Sequence, residues 1–144
     1  MEVMNILFKK SKSMKIYLDK SQRSQLSSED DINMAFKLDG VVAYDIYYNN
    51  NLVGFALLRN YGLSKWFLWN YAIDKSYQGK GLGEEALKKP IKLMEKEYGM
   101  TEISTTYIFG NDIAKNLYSK LGFIETDVVD EENCHEVNMV LKLN

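Results

Sequence analysis

The chain has 144 residues, 46% hydrophobic and 26% charged, the balance of a folded globular protein rather than a disordered or fibrous one. Eighteen basic residues against 20 acidic ones leave a formal net charge of -2, so no overall positive field draws the chain onto a phosphate backbone, which argues against nucleic acid as principal partner. One cysteine, Cys134, and one histidine, His135, exclude an internal disulfide and a metal site of the usual His and Cys type.

This inventory suits a reducing cytoplasm. The opening MEVMNILFKKSKS puts its basic residues after a short apolar stretch, the reverse of a secretory leader, and no run approaches the ~18 apolar residues of a membrane span. The expectation is a cytoplasmic chain forming one domain over residues 1–144, with no linker or repeat to divide it.

Residues 14–26 carry a weak helical pattern. Ser28 then caps a second helix with Glu29, Asp30 and Asp31 in its first turn, Ile32, Ala35 and Phe36 as its buried stripe and Gly40 as its stop. Residues 42–48 and 52–59 read as a hairpin around Asn49, Asn50 and Asn51. A turn over residues 60–65 leads to a strand at 66–73, with Phe67, Trp69, Tyr71 and Ile73 on one face and Leu68 and Ala72 on the other; apolar residues on both faces make it central. Leu87, Ile91, Met94 and Tyr98 fall at helical spacing up to Gly99, and Pro90 inside this helix predicts a kink. Residues 103–109 read as a strand, Asn111 caps a helix running to about Leu121 with Gly122 as its terminator, and residues 123–129 and 136–143 form a closing antiparallel pair. The predicted fold is α/β (α+β), a mixed sheet with helices on both faces.

Between the central strand and the following helix lies Tyr77-Gln78-Gly79-Lys80-Gly81-Leu82-Gly83, where backbone N–H groups and a helix dipole converge on an anion. A dinucleotide fingerprint fails because Glu84 stands where its third glycine belongs, and a P-loop fails because Gly81 follows Lys80. Taken alone, the turn also reads as a tight strand-to-helix connection. Its residues Gln78, Gly81 and Gly83, however, fill the Q/R-x-x-G-x-G/A pattern, and the segment from Asn111 through Ala114 and Leu117-Tyr118 to Gly122-Phe123 fits N-x-x-A-x-x-L-Y-x-x-x-G-F. Both motifs resemble the GNAT N-acetyltransferase family, and residues 67–83 are further similar to bacterial spermine/spermidine acetyltransferases.

The resemblance implies a GNAT-like twisted, mostly antiparallel sheet and direct attack of an amine on acetyl-CoA in a ternary complex, with no metal. It implies a cofactor cradle of Gln78, Gly79, Lys80, Gly81, Leu82 and Gly83, main-chain contacts from Tyr71, Ala72 and Ile73, and further contacts from Asn111 and Ala114. Tyr118 becomes the general acid and Glu85 the candidate base. Each has an ordinary alternative: Asn111 as a helix cap, Glu85 as a dipole-favouring first-turn acid, Tyr118 as core. Lys88 and Lys89 are read as a solvated helix face. Cys134 and His135 are adjacent on a strand and point to opposite faces, so they form no nucleophile pair.

Glu125, Asp127, Asp130, Glu131, Glu132 and Glu136 occur with no Lys or Arg among them, which favours a small cationic, polyamine-like acceptor. The alternatives are a protein lysine or N-terminal amine as acceptor, or an acyl-CoA-binding module without catalysis. No membrane contact is expected, and a homodimer is the expected assembly.

Overall fold

The computed structural model describes residues 6–18, 26–78 and 81–143. Strands β1 (Ile6–Lys10), β2 (Val41–Tyr48), β3 (Asn51–Gly62), β4 (Lys65–Ile73), β5 (Glu102–Ile108), β6 (Ile124–Glu131) and β7 (Cys134–Lys142) alternate with helices α1 (Glu29–Ala35), α2 (Leu82–Tyr98) and α3 (Asp112–Lys120). The strands form one sheet in the order β1-β2-β3-β4-β5-β7-β6, with β4 at its centre as expected. Among the described residues only β4 and β5 pair in parallel, because α2 carries the chain back between them.

The helices cover both faces. Ala86, Leu87, Ile91 and Met94 of α2 and Tyr118 of α3 pack with Leu58, Leu68, Ile103, Val137 and Met139 on one face. Ile32 and Ala35 of α1 pack with Ala43, Phe55, Leu57 and Ala72 on the other. Each fully buried Leu, Ile or Phe here contributes about 1.5–3 kcal/mol. α2 continues through the buried Pro90 as one helix.

Several expectations change in detail. β1 was not read from the sequence: it pairs antiparallel with β2, burying Ile6 while Leu7 faces out. Residues 14–18 of the expected first helix have no regular secondary structure, and residues 19–25 of it lie outside the described residues. Met14, Ile16 and Leu18 pack at alternate positions on the α1 side, and the Tyr17 backbone bonds to Asp74 and Lys75, so the segment is extended. α1 ends at Ala35 rather than near Gly40, closing through Lys37 N–H to the Met34 carbonyl. The β2–β3 turn uses only Asn49 and Asn50, at φ 49° and 69°, with Asn51 already paired to Tyr48. β3 and β4 extend to Gly62 and Lys65, leaving Leu63 and Ser64 as their turn.

The central strand carries the most consequential correction. Leu57 pairs with Asn70 but Leu58 with Leu68, so Trp69 is an extra residue, a β-bulge. The side-chain alternation therefore reverses there. Trp69 packs on the α1 side, to which alternation between Trp66 and Leu68 also sends Phe67, whereas Tyr71 and Ile73 turn to the α2 side and join the core with Trp66 and Leu68.

Candidate active site

The parallel pairing of β4 and β5 runs from Lys65↔Glu102 to Leu68↔Thr105 and stops where the bulge begins. Beyond it, among the described residues, Trp69–Ala72 of β4 has no strand partner on the β5 side, and β5 turns to β7 alone. A cavity of about 490 Å³ opens in this gap. Its lining includes Trp69, Asn70 and Tyr71 of β4, Thr105 and Thr106 of β5, Asn111, Ala114 and Tyr118 at α3, and Glu136 of β7. The motif residues Tyr71, Asn111, Ala114 and Tyr118, distant in sequence, thus meet at one opening.

Three lining tyrosines differ in what their hydroxyls do. Tyr71 donates to the Gly83 carbonyl at 2.5 Å, tying the parted end of β4 to the first turn of α2. Tyr107 donates to Glu125 at 2.7 Å. Burial, reinforced by Glu125, pushes the Tyr107 phenol up to about 12, and burial with the neighbouring Tyr118 pushes Tyr71 well up. Tyr118 is 7% exposed and packs against Phe123 with ring centroids 5.4 Å apart. Burial raises its pKa, while the adjacent Thr105 hydroxyl pulls the other way. The phenol is therefore protonated at neutral pH, the state a general acid needs.

Near the opening, α2 begins at Gly81, which adopts φ 76° and supplies no side-chain cap. The helix N-terminus is left without the cap that Ser28 gives α1 or Asn111 gives α3. A Cβ at Gly81 would touch nothing within 4 Å but would strain the left-handed backbone. Gly79 and Lys80 lie outside the described residues. Gln78 turns its side-chain amide to the Ile73 carbonyl at 2.9 Å, bracing the turn against the end of β4. Leu82 is buried, and Gly83 faces Leu117 of α3. Asn111 accepts from Ala114 N–H at 3.2 Å, so it caps α3 while lining the cavity.

Glu85 is not brought to the cavity. It bonds Lys88 at 3.3 Å, and Lys88 also reaches Glu84 at 3.4 Å, which offsets the two carboxylates on the α2 first turn. The acidic stretch is dispersed likewise: Glu125 serves Tyr107, Asp130 meets His135 at 2.6 Å, and Asp127 accepts from Asn138 at 3.0 Å. Glu136, singled out in the sequence only as one of six acids, is the charged residue among the described lining residues. Its pairing with Ile108 across β5 could not be read without the β5–β7 register. Among the described residues no group of His, Cys, Asp or Glu could hold a metal ion, and no helix is long and apolar enough to cross a membrane.

Comparison with known proteins bears on the same elements. Residues 7–123 match the model of the Acetyltransferase (GNAT) family. A probable spermine N(1)-acetyltransferase of Bacillus subtilis subsp. natto is 36% identical over 88 residues, 54% of this chain and 56% of that protein, so the chain spans little more than half the length of this relative. A [ribosomal protein bS18]-alanine N-acetyltransferase of Haemophilus influenzae is 38% identical over 80 residues, 56% of this chain and 53% of that one. The crystal structure of a GNAT family acetyltransferase from Elizabethkingia anophelis with acetyl-CoA bound superposes with a TM-score of 0.75 at 19% identity, covering 96% of this chain and 99% of that one. A sheet parted at the parallel β4–β5 pair, a glycine-led helix without a side-chain cap beside the gap and a match across most of the sequence agree: the chain belongs to the GNAT acetyltransferase family.

Proposed function

We propose that the protein transfers an acetyl group from acetyl-CoA to a primary amine of a small cationic acceptor, polyamine-like in character, by direct attack in a ternary complex. The observation that carries this reading is Tyr118, a protonated phenol at the cavity between the parted strands, beside two tyrosines whose hydroxyls already serve Gly83 and Glu125. The uncapped start of α2 suits the phosphates, with Gln78, Gly79, Lys80, Gly81, Leu82 and Gly83 as the cradle. The stretch of β4 past its pairing with β5, at Tyr71, Ala72 and Ile73, offers main-chain groups to the acyl arm, and Asn111 and Ala114 close its other side.

In this reaction the acceptor ammonium first loses one proton to a base. Its nitrogen then bonds to the acetyl carbon as the carbon–sulfur bond breaks, and the departing thiolate takes the Tyr118 proton. A second nitrogen proton restores the phenol and the third stays on the amide, so one proton is released per turnover. Glu85, paired with Lys88 outside the cavity, would act as base through water.

A protein N-terminal amine is the second reading, favoured by the 38% identity to the bS18-alanine enzyme. The test is thiol release from acetyl-CoA with a panel of diamines, polyamines, aminoglycosides and an N-terminal alanine peptide. Release with the diamines above the peptide supports the first reading, release with the peptide alone supports the second, and no release with any acceptor refutes both.

A further inference from the structure

We propose that Glu136 is the carboxylate that receives the ammonium group of the acceptor, which enters the cavity from the α1 face of the sheet. As a step in acetyl transfer this rests on the reading above; as a binding site it rests on the cavity alone.

The lining of the gap divides by face. On β5, Ile103 and Tyr107 point into the core beneath α2 and α3, so alternation sends Thr106 and Ile108 to the opposite face. β7 follows the same division. Val137 and Met139 are in the α2-side core, and Glu136, directly opposite Ile108, shares the α1 side with Thr106. The bulge keeps Trp69 on that side while turning Tyr71 away from it. Leu26 and Ser27, which precede α1, complete the wall, held there by Ser27 N–H to Asn70 at 2.9 Å.

Two unlike walls therefore meet through the parted sheet. The α2 side presents Tyr71, Tyr107 and Tyr118, close to the helix start that suits an anionic co-substrate. On the α1 side the cavity lining includes Phe67, Trp69 and its one carboxylate, Glu136, a combination that favours a cation. An open depression of about 720 Å³ over β3 to β7, with Arg59 and Asp127 as its charged lining residues, shares Phe67 and Thr105 with the cavity and leaves room for the rest of an acceptor chain. The exposed Glu131 and Glu132 line neither space.

Calorimetric titration of 1,4-diaminobutane into the protein held with CoA tests the assignment. Glu136→Gln is expected to weaken diamine binding about tenfold or more, and Glu136→Asp to keep it within a few-fold. The paired change Glu131→Gln with Glu132→Gln should leave it within twofold, and all variants should bind CoA like the parent. Unchanged diamine affinity in Glu136→Gln, or an equal loss in the Glu131/Glu132 variant, overturns the proposal. Failure of the acetyl-transfer reading shows separately, as diamine binding that depends on Glu136 without thiol release from acetyl-CoA.

Discussion

Thr105 pairs with Leu68 in the last rung of the parallel ladder, and its hydroxyl donates to the Leu68 carbonyl at 3.2 Å. Turned to Tyr118 instead, the same hydroxyl lowers its pKa against the upward push of burial. One residue thus closes the point where the strands part and tunes the proposed acid. Thr105→Val should cost about 1–2 kcal/mol by leaving a buried carbonyl without that donor. It should also raise the Tyr118 pKa, so the alkaline fall in kcat, where the phenol loses its proton, moves to higher pH. A thermal unfolding midpoint and a pH–rate profile check the two effects.

Tyr71 and Gly83 form the second tie, from the parted end of β4 to α2. Tyr71→Phe removes a donor without removing the ring, and is expected to destabilise the fold by about 1 kcal/mol. If this tie positions the α2 start for the phosphates, acetyl-CoA binding weakens as well. Denaturant unfolding and calorimetry measure both, and unchanged values would show the tie to be idle.

Gly54 on β3 lies where any Cβ would come within 3.1 Å of both the Ala72 carbonyl and the Ile73 side chain. Gly54→Ala must push the end of β4 away and should cost about 1–3 kcal/mol. Because that end is the edge proposed to meet the acyl arm, the acetyl-CoA dissociation constant should rise in the same variant.

Asp74 fastens the extended segment before α1 to the end of β4. It accepts from Tyr17 N–H at 2.8 Å and Ser76 N–H at 2.9 Å. Burial alone would raise its pKa, but these hydrogen bonds and Lys75 outweigh it and hold the carboxyl below the usual aspartate range. A depressed folded-state pKa means that its stabilisation is present above the unfolded-state value and is lost as pH falls through the folded-state value. Asp74→Ala should therefore lower stability at neutral pH by about 1–3 kcal/mol and flatten the acid side of the stability curve, read from unfolding at stepped pH.

Much of this architecture was legible because local signals agreed with it. Ser28 and Asn111 cap the helices they were expected to cap, and Leu87, Ile91 and Met94 form the inner face of α2. The site motifs were readable for the same reason, since Gly81 and Tyr118 sit at a helix start and on a packed helix face whose spacing is local. What escaped was set by tertiary pairing. Ile6–Lys10 is too short to signal a strand without β2 beside it. The extra residue at Trp69 appears only in the register with β3, so a plain alternation assigned Tyr71 and Trp69 to the same face. Glu136 separated from the other acids only once β7 was placed next to β5.

Acetyl transfer to 1,4-diaminobutane by the parent protein and by Tyr118→Phe, followed by mass spectrometry of the product, tests the central claim most directly. The cavity geometry predicts a monoacetylated diamine from the parent, a kcat lower by about 100-fold or more in the variant, and an acetyl-CoA dissociation constant that stays within twofold. No acetylated product from the parent, or equal turnover in the two proteins, would contradict it.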